Sequence, residues 1–129
     1  MQMSELRIAI DMNDAWTALE NGSQMVTGVL VARKEFAENH AAEIDTFLQE
    51  YQASTEWVNE NVADAAQLVE KVGIVKAPVA EKAIPHCNIT FLSGEEMKTA
   101  MEGYLNVLLE QNPKAIGGSL PAEDFYYAH

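Results

Sequence analysis

The apolar positions along the chain fall into two kinds of run. Residues 6–10, broken only by Arg7, and residues 26–32 are short and continuously hydrophobic, and the second lies between the turn-forming Asn21-Gly22-Ser23 and the charged Arg33-Lys34-Glu35. Continuous rather than alternating hydrophobicity fits a strand buried on both faces, as in a parallel sheet, although a short buried helix reads the same way. We assign residues 26–32 as a central strand, and residues 88–92 as a brief strand or extended segment.

The second kind of run has helical spacing. Ile44, Phe47, Leu48, Tyr51 and Val58, with Glu43, Asp45, Gln49, Glu50 and Glu56 between them, predict a helix of about four turns with an acidic outer face. Asn61 is suited to cap a following helix that carries Ala65, Leu68 and Val69 and closes at Gly73. A third, short helix over residues 77–84 has Pro78 in its first turn and stops at Pro85. Ser93-Gly-Glu-Glu96 matches a capping box and opens the clearest helix, on which Met97, Ala100, Met101, Tyr104, Leu105, Leu108 and Leu109 share a stripe until Asn112-Pro113 ends it.

Composition narrows the function classes. The 129 residues hold 20 acidic and 8 basic side chains, a formal charge of -12 that opposes binding to nucleic acid or anionic lipid over most of the surface. Cys87 is the single cysteine, so there is no disulfide framework, and the three histidines show no metal-ligand spacing. No apolar stretch approaches a membrane span, and the amino terminus has no export signal. His86 beside Cys87 suggests a nucleophile and base, but neighbours in sequence point different ways and no orienting carboxylate stands in register. Glu95-Glu96 are explained by helix capping. Gly117-Gly118 after Lys114 lacks the ending and context of a phosphate loop. Trp57 reads as packing, and Phe125-Tyr126-Tyr127 as a tail docked on a larger body.

Several segments, taken in order, carry a family likeness: residues 27–36 (TGVLVARKEF), 56–61 (EWVNEN), 73–80 (GIVKAPVA), 83–89 (AIPHCNI), 94–97 (GEEM), 103–105 (GYL), 110–113 (EQNP), 117–118 (GG) and 124–127 (DFYY). Together they resemble the end of the substrate-binding proteins of ABC importers in the nitrate, sulfonate, taurine and thiamine-precursor group. The resemblance implies an α/β fold: the helix-rich C-terminal portion of a type II periplasmic binding protein-like fold with a few short, mostly parallel strands. Residues 1–25 would be the end of the second lobe and the hinge crossing, and residues 26–129 the C-terminal part of the first lobe.

That likeness implies a solute-binding component, or a fragment of one, for a small anionic or heterocyclic solute, and not an enzyme. Ser23, Gln24 and Thr27, at the crossing, are the residues expected to touch the ligand, with hydroxyl, amide and backbone donors. No catalytic residue, metal or cofactor is expected. The implied partners are the solute and the ABC permease subunits, and the implied location is extracytoplasmic. With the missing half of lobe one unable to cover residues 26–32, the fragment is expected to form a homo-oligomer. The alternative is a small helical interaction or assembly protein without a ligand.

Overall fold

The computed structural model describes residues 7–127. Its α-helices are α1 (Met12–Thr17), α2 (Lys34–Asn39), α3 (Ala41–Glu60), α4 (Val62–Lys71), α5 (Ala77–Ala83) and α6 (Gly94–Gln111), with short 3₁₀ turns at Ile84–His86, Pro113–Ile116 and Glu123–Phe125. The four helices read from periodicity are present as α3 to α6. The strands are not: no strand or bridge occurs among the described residues, which corrects the α/β assignment. Residues 7–10 and 24–32 run without turn or bend, yet their backbone makes no hydrogen bond to another described residue's backbone. Local apolar sequence can favour an extended chain, but a strand also needs a partner, and none is supplied among the described residues. Leu6, the first residue of the expected amino-terminal strand, lies outside the described residues. At residues 88–92, Asn88 is left-handed (φ 50°), and the segment is held from α3 by side chains instead of by a ladder. Asn59 Nδ2 donates to the Ile89 carbonyl at 2.9 Å, and the Phe91 ring meets Tyr51 edge-on with centroids 6.0 Å apart.

The chain divides into two compact units, Val31–Leu92 and the combination of Met1–Leu30 with Ser93–His129. In Val31–Leu92 the core is built almost entirely from alanine. Ala65 and Ala66 of α4 meet Ala77 and Ala80 of α5, Ile84 closes the cluster, and Val58, Val62 and Val69 pack around it. Methyl side chains let the two short helices approach closely. Asn61 was expected to cap α4; instead its Nδ2 donates to the Trp57 carbonyl at 3.0 Å and finishes α3. Gly73 does close α4, where the Ile74 N–H reaches back to the Val69 carbonyl at 3.1 Å.

Glu70 joins the end of α4 to the start of α5. One carboxylate oxygen accepts from the Ala77 backbone N–H at 2.7 Å and the other pairs with Lys76 Nζ at 2.8 Å. The backbone bond first and Lys76 second hold this carboxyl below its ordinary value. A depressed folded value means stability that is fully present above the ordinary carboxylate range and lost as the pH falls through the folded value. Melting temperatures of wild type and Glu70→Gln are therefore expected to differ at neutral pH and converge in acid. A difference that stays constant with pH would rule this role out.

In the other unit, Asp11 caps α1 by accepting from the N–H groups of Asn13 (2.9 Å) and Asp14 (3.2 Å). On α6, Lys98 pairs with Glu123, lies 4.0 Å from Glu102 and sits 6.0 Å from the centre of the Tyr126 ring. The expected docked tail is thus seated on α6, and burial raises the pKa of the Tyr126 phenol.

Candidate functional site

The capping box expected at Ser93-Gly-Glu-Glu96 does not form. Ser93 stands in the N-cap position with extended backbone, but its hydroxyl accepts no bond from the helix. Gly94 is left-handed (φ 56°), a conformation open to glycine, and the Ser93 carbonyl still accepts from the Met97 N–H at 3.3 Å. Glu95 and Glu96 keep the favourable position at the positive end of the helix while their side chains remain available.

Across from them, the loop of residues 20–24 is folded tightly. Asn21 Oδ1 accepts from the Ser23 N–H (3.0 Å) and the Ser23 hydroxyl (2.8 Å), while Trp16 Nε1 donates to Ser23 Oγ at 3.0 Å. Trp16 is in turn set against Tyr104 of α6, with ring centroids 5.3 Å apart. Gly103 completes the arrangement, since a Cβ there would stand 3.2 Å from the Ser23 Cβ. Only a glycine lets the loop sit this close to the helix without displacement.

Between loop and helix lies an open cleft of about 330 Å³, lined by Gly22, Ser23, Gln24, Glu95, Glu96, Thr99 and Ala100. A smaller groove of about 160 Å³ lies farther along α6, lined by Val26, Thr27, Gly28 and Val29 with Met101, Tyr104 and Leu105. Of the residues expected to touch a ligand, Ser23 and Gln24 line the cleft and Thr27 lines the groove. The Ser23 hydroxyl is already committed as donor and acceptor, so it shapes the wall. Gln24 and Thr99 make no side-chain hydrogen bond among the described residues and present an amide and a hydroxyl. The carboxylates of Glu95 and Glu96 make the cleft a poor place for the anionic head group expected from the sequence.

Sequence reasoning missed Glu95, Glu96 and Thr99. It assigned both acids to capping, and the signal against that was the glycine at the first helical position. His86 and Cys87 do not form a catalytic pair: the thiol is exposed and donates to the Ala83 carbonyl at 3.2 Å. Among the described residues no group of three or more His, Cys, Asp or Glu is placed to hold a metal ion, and no helix is long and apolar enough to cross a membrane.

Fold and cleft together define a helical protein with an acidic, amide- and hydroxyl-bearing depression in one of its units. A family model described as menaquinone biosynthesis matches residues 1–108, and the chain belongs to that family. No curated protein and no solved structure matches it.

The match spans every residue of the cleft and the groove, and it overturns the reading as an ABC-importer solute-binding protein. The permease and transported-solute partners fall with that reading. So does the argument for a homo-oligomer, which rested on a missing half of a binding-protein lobe. The alternative of a ligand-free assembly protein is not supported by a biosynthetic family either.

Proposed function

We propose that the chain acts as an enzyme of menaquinone biosynthesis and that its precursor binds in the cleft between residues 22–24 and the first turns of α6. The observation that supports this most is the extent of the family match, which contains the whole cleft. In this proposal Gln24 and Thr99 hold polar groups of the precursor, and Glu95 or Glu96 moves a proton as general base or acid. Ser23, tied to Trp16 and Asn21, keeps the wall in place, and Thr27 borders the apolar part of the ligand in the groove.

The test is made in the source organism. Deleting the gene is expected to abolish extractable menaquinone, and returning the wild-type gene to restore it. The Glu95→Gln, Glu96→Gln double variant, shown by circular dichroism to keep its helices, is expected to restore less than about a hundredth, the low end of what a positioned acid or base contributes. Undiminished menaquinone in the deletion strain would overturn the pathway assignment. Full restoration by the double variant would overturn the role of the cleft carboxylates.

A further inference from the structure

Residues 113–127 lie beyond the stretch matched by the family model, residues 1–108, yet they return to the helix that carries the cleft. Past the end of α6 the Gly118 N–H donates to the Pro113 carbonyl at 2.8 Å, and Gly117 and Gly118 are both left-handed. By Glu123 the chain has come back to Lys98, about 20 Å along α6 from its last residue. Lys98 receives it: the ammonium pairs with Glu123, lies 4.0 Å from Glu102 and stands 6.0 Å from the centre of the Tyr126 ring. Glu95 is three residues before Lys98 and Glu102 four residues after it, so all three share one face of α6. Of these, Glu95 also lines the cleft. Among the described residues no ion pair joins Lys98 to Glu95. The hydrogen bond to Glu123 raises the pKa of the Lys98 ammonium, burial opposes the rise, and Glu102 and then Glu95 add to it through their charge. Glu95 is thus near enough to attract the ammonium while Glu123 holds it.

On the reading that gives Glu95 the role of acid or base, we propose that Glu123 and Lys98 are positioning residues: the tail carboxylate holds the ammonium and so leaves Glu95 unpaired to exchange a proton with the precursor. An ammonium released by Glu123 has two carboxylates on its own helix to choose from. A glutamate that precedes a lysine makes the better helical pair than one that follows it, so Glu95 is favoured over Glu102. Exposed pairs add little to stability, so Lys98 changes partner at low cost and with α6 intact. A carboxylate paired with an ammonium accepts a proton less readily, and the pairing draws the side chain towards Lys98 and out of the cleft. A tail seated on Lys98 therefore keeps the cleft acid in service, and lifting the tail withdraws it.

Zero-length cross-linking of the full chain with a carbodiimide reads the partner of Lys98 directly, because the reagent joins an amine to a carboxylate in contact with it. Peptide mass spectrometry is expected to find Lys98 joined mainly to Glu123 in wild type. In Glu123→Gln it is expected to find Lys98 joined to Glu95 about twofold more often than to Glu102, the advantage of the better-oriented helical pair. In the complementation assay Glu123→Gln is expected to lower menaquinone by about half, as Lys98 occupies Glu95 for a matching share of the time. Glu123→Asp keeps a tail carboxylate and is expected to stay near wild type. The Lys98→Gln, Glu123→Gln double variant still lets the tail go but has no ammonium to occupy Glu95, and is expected to recover what Glu123→Gln loses. Lys98 joined to Glu102 and not to Glu95 in Glu123→Gln would overturn the proposal. So would a double variant no better than Glu123→Gln, which would give the tail a purely structural role. Menaquinone unaffected by deleting the gene would overturn the pathway assignment and with it the benefit to catalysis, while the exchange of partners still stands or falls by the cross-link.

Discussion

Ile84→Ala is expected to lower the stability of the unit formed by Val31–Leu92 by about 2–4 kcal/mol, the usual range for truncating a buried aliphatic side chain. Ile84 is the one large side chain in a buried cluster otherwise made of Ala65, Ala66, Ala77 and Ala80. Alanines have no rotamers with which to fill the space it leaves, so the cavity stays open and the cost falls towards the upper part of that range. Urea denaturation followed by circular dichroism measures it. A loss below about 1 kcal/mol, roughly one methylene's worth of burial, would show that Val58, Val62 and Val69 collapse into the gap and that the cluster is not the centre of this unit.

The second large effect is expected at Trp16, whose indole bonds Ser23 and packs on Tyr104. Trp16→Ala removes both interactions and is expected to cost about 2–4 kcal/mol, whereas Trp16→Phe keeps the ring contact and gives up the single N–H bond, about 1 kcal/mol. The pair of variants separates packing from hydrogen bonding. Equal losses in the two would mean that the indole N–H, and not the ring against Tyr104, holds the loop to α6. Because the loop is one wall of the cleft, Trp16→Ala is also expected to lower menaquinone in the complementation assay, with Trp16→Phe closer to wild type.

Helices were legible because their signals are local. The stripe on α6, the prolines flanking α5 and the glycine after α4 each act within a turn or two of the residue concerned. The strands were misread because strand formation is a property of pairs. Residues 26–32 hold the composition of a buried strand, but no other described residue pairs its backbone with them, and nothing within the segment reports that absence. The family likeness failed in a related way: short pieces in matching order agree with a helix-rich composition as readily as with common descent. At the candidate site, the turn chemistry of Asn21 to Ser23 drew attention to a loop that forms one wall of the cleft. The acids opposite were lost because a capping box and a carboxylate-lined cleft are written with the same residues.

The alanine seam between α4 and α5 has a thermal consequence. Methyl groups carry little apolar area apiece, so separating the two helices hydrates little new surface, and the heat-capacity change on unfolding is correspondingly small. A small heat-capacity change flattens the dependence of stability on temperature. Alanine also loses no rotamer freedom on burial, so the seam is assembled without ordering any side chain. The α4–α5 pair should therefore hold its shape about equally well over a wide span of temperatures, with a modest margin throughout and no sharp optimum.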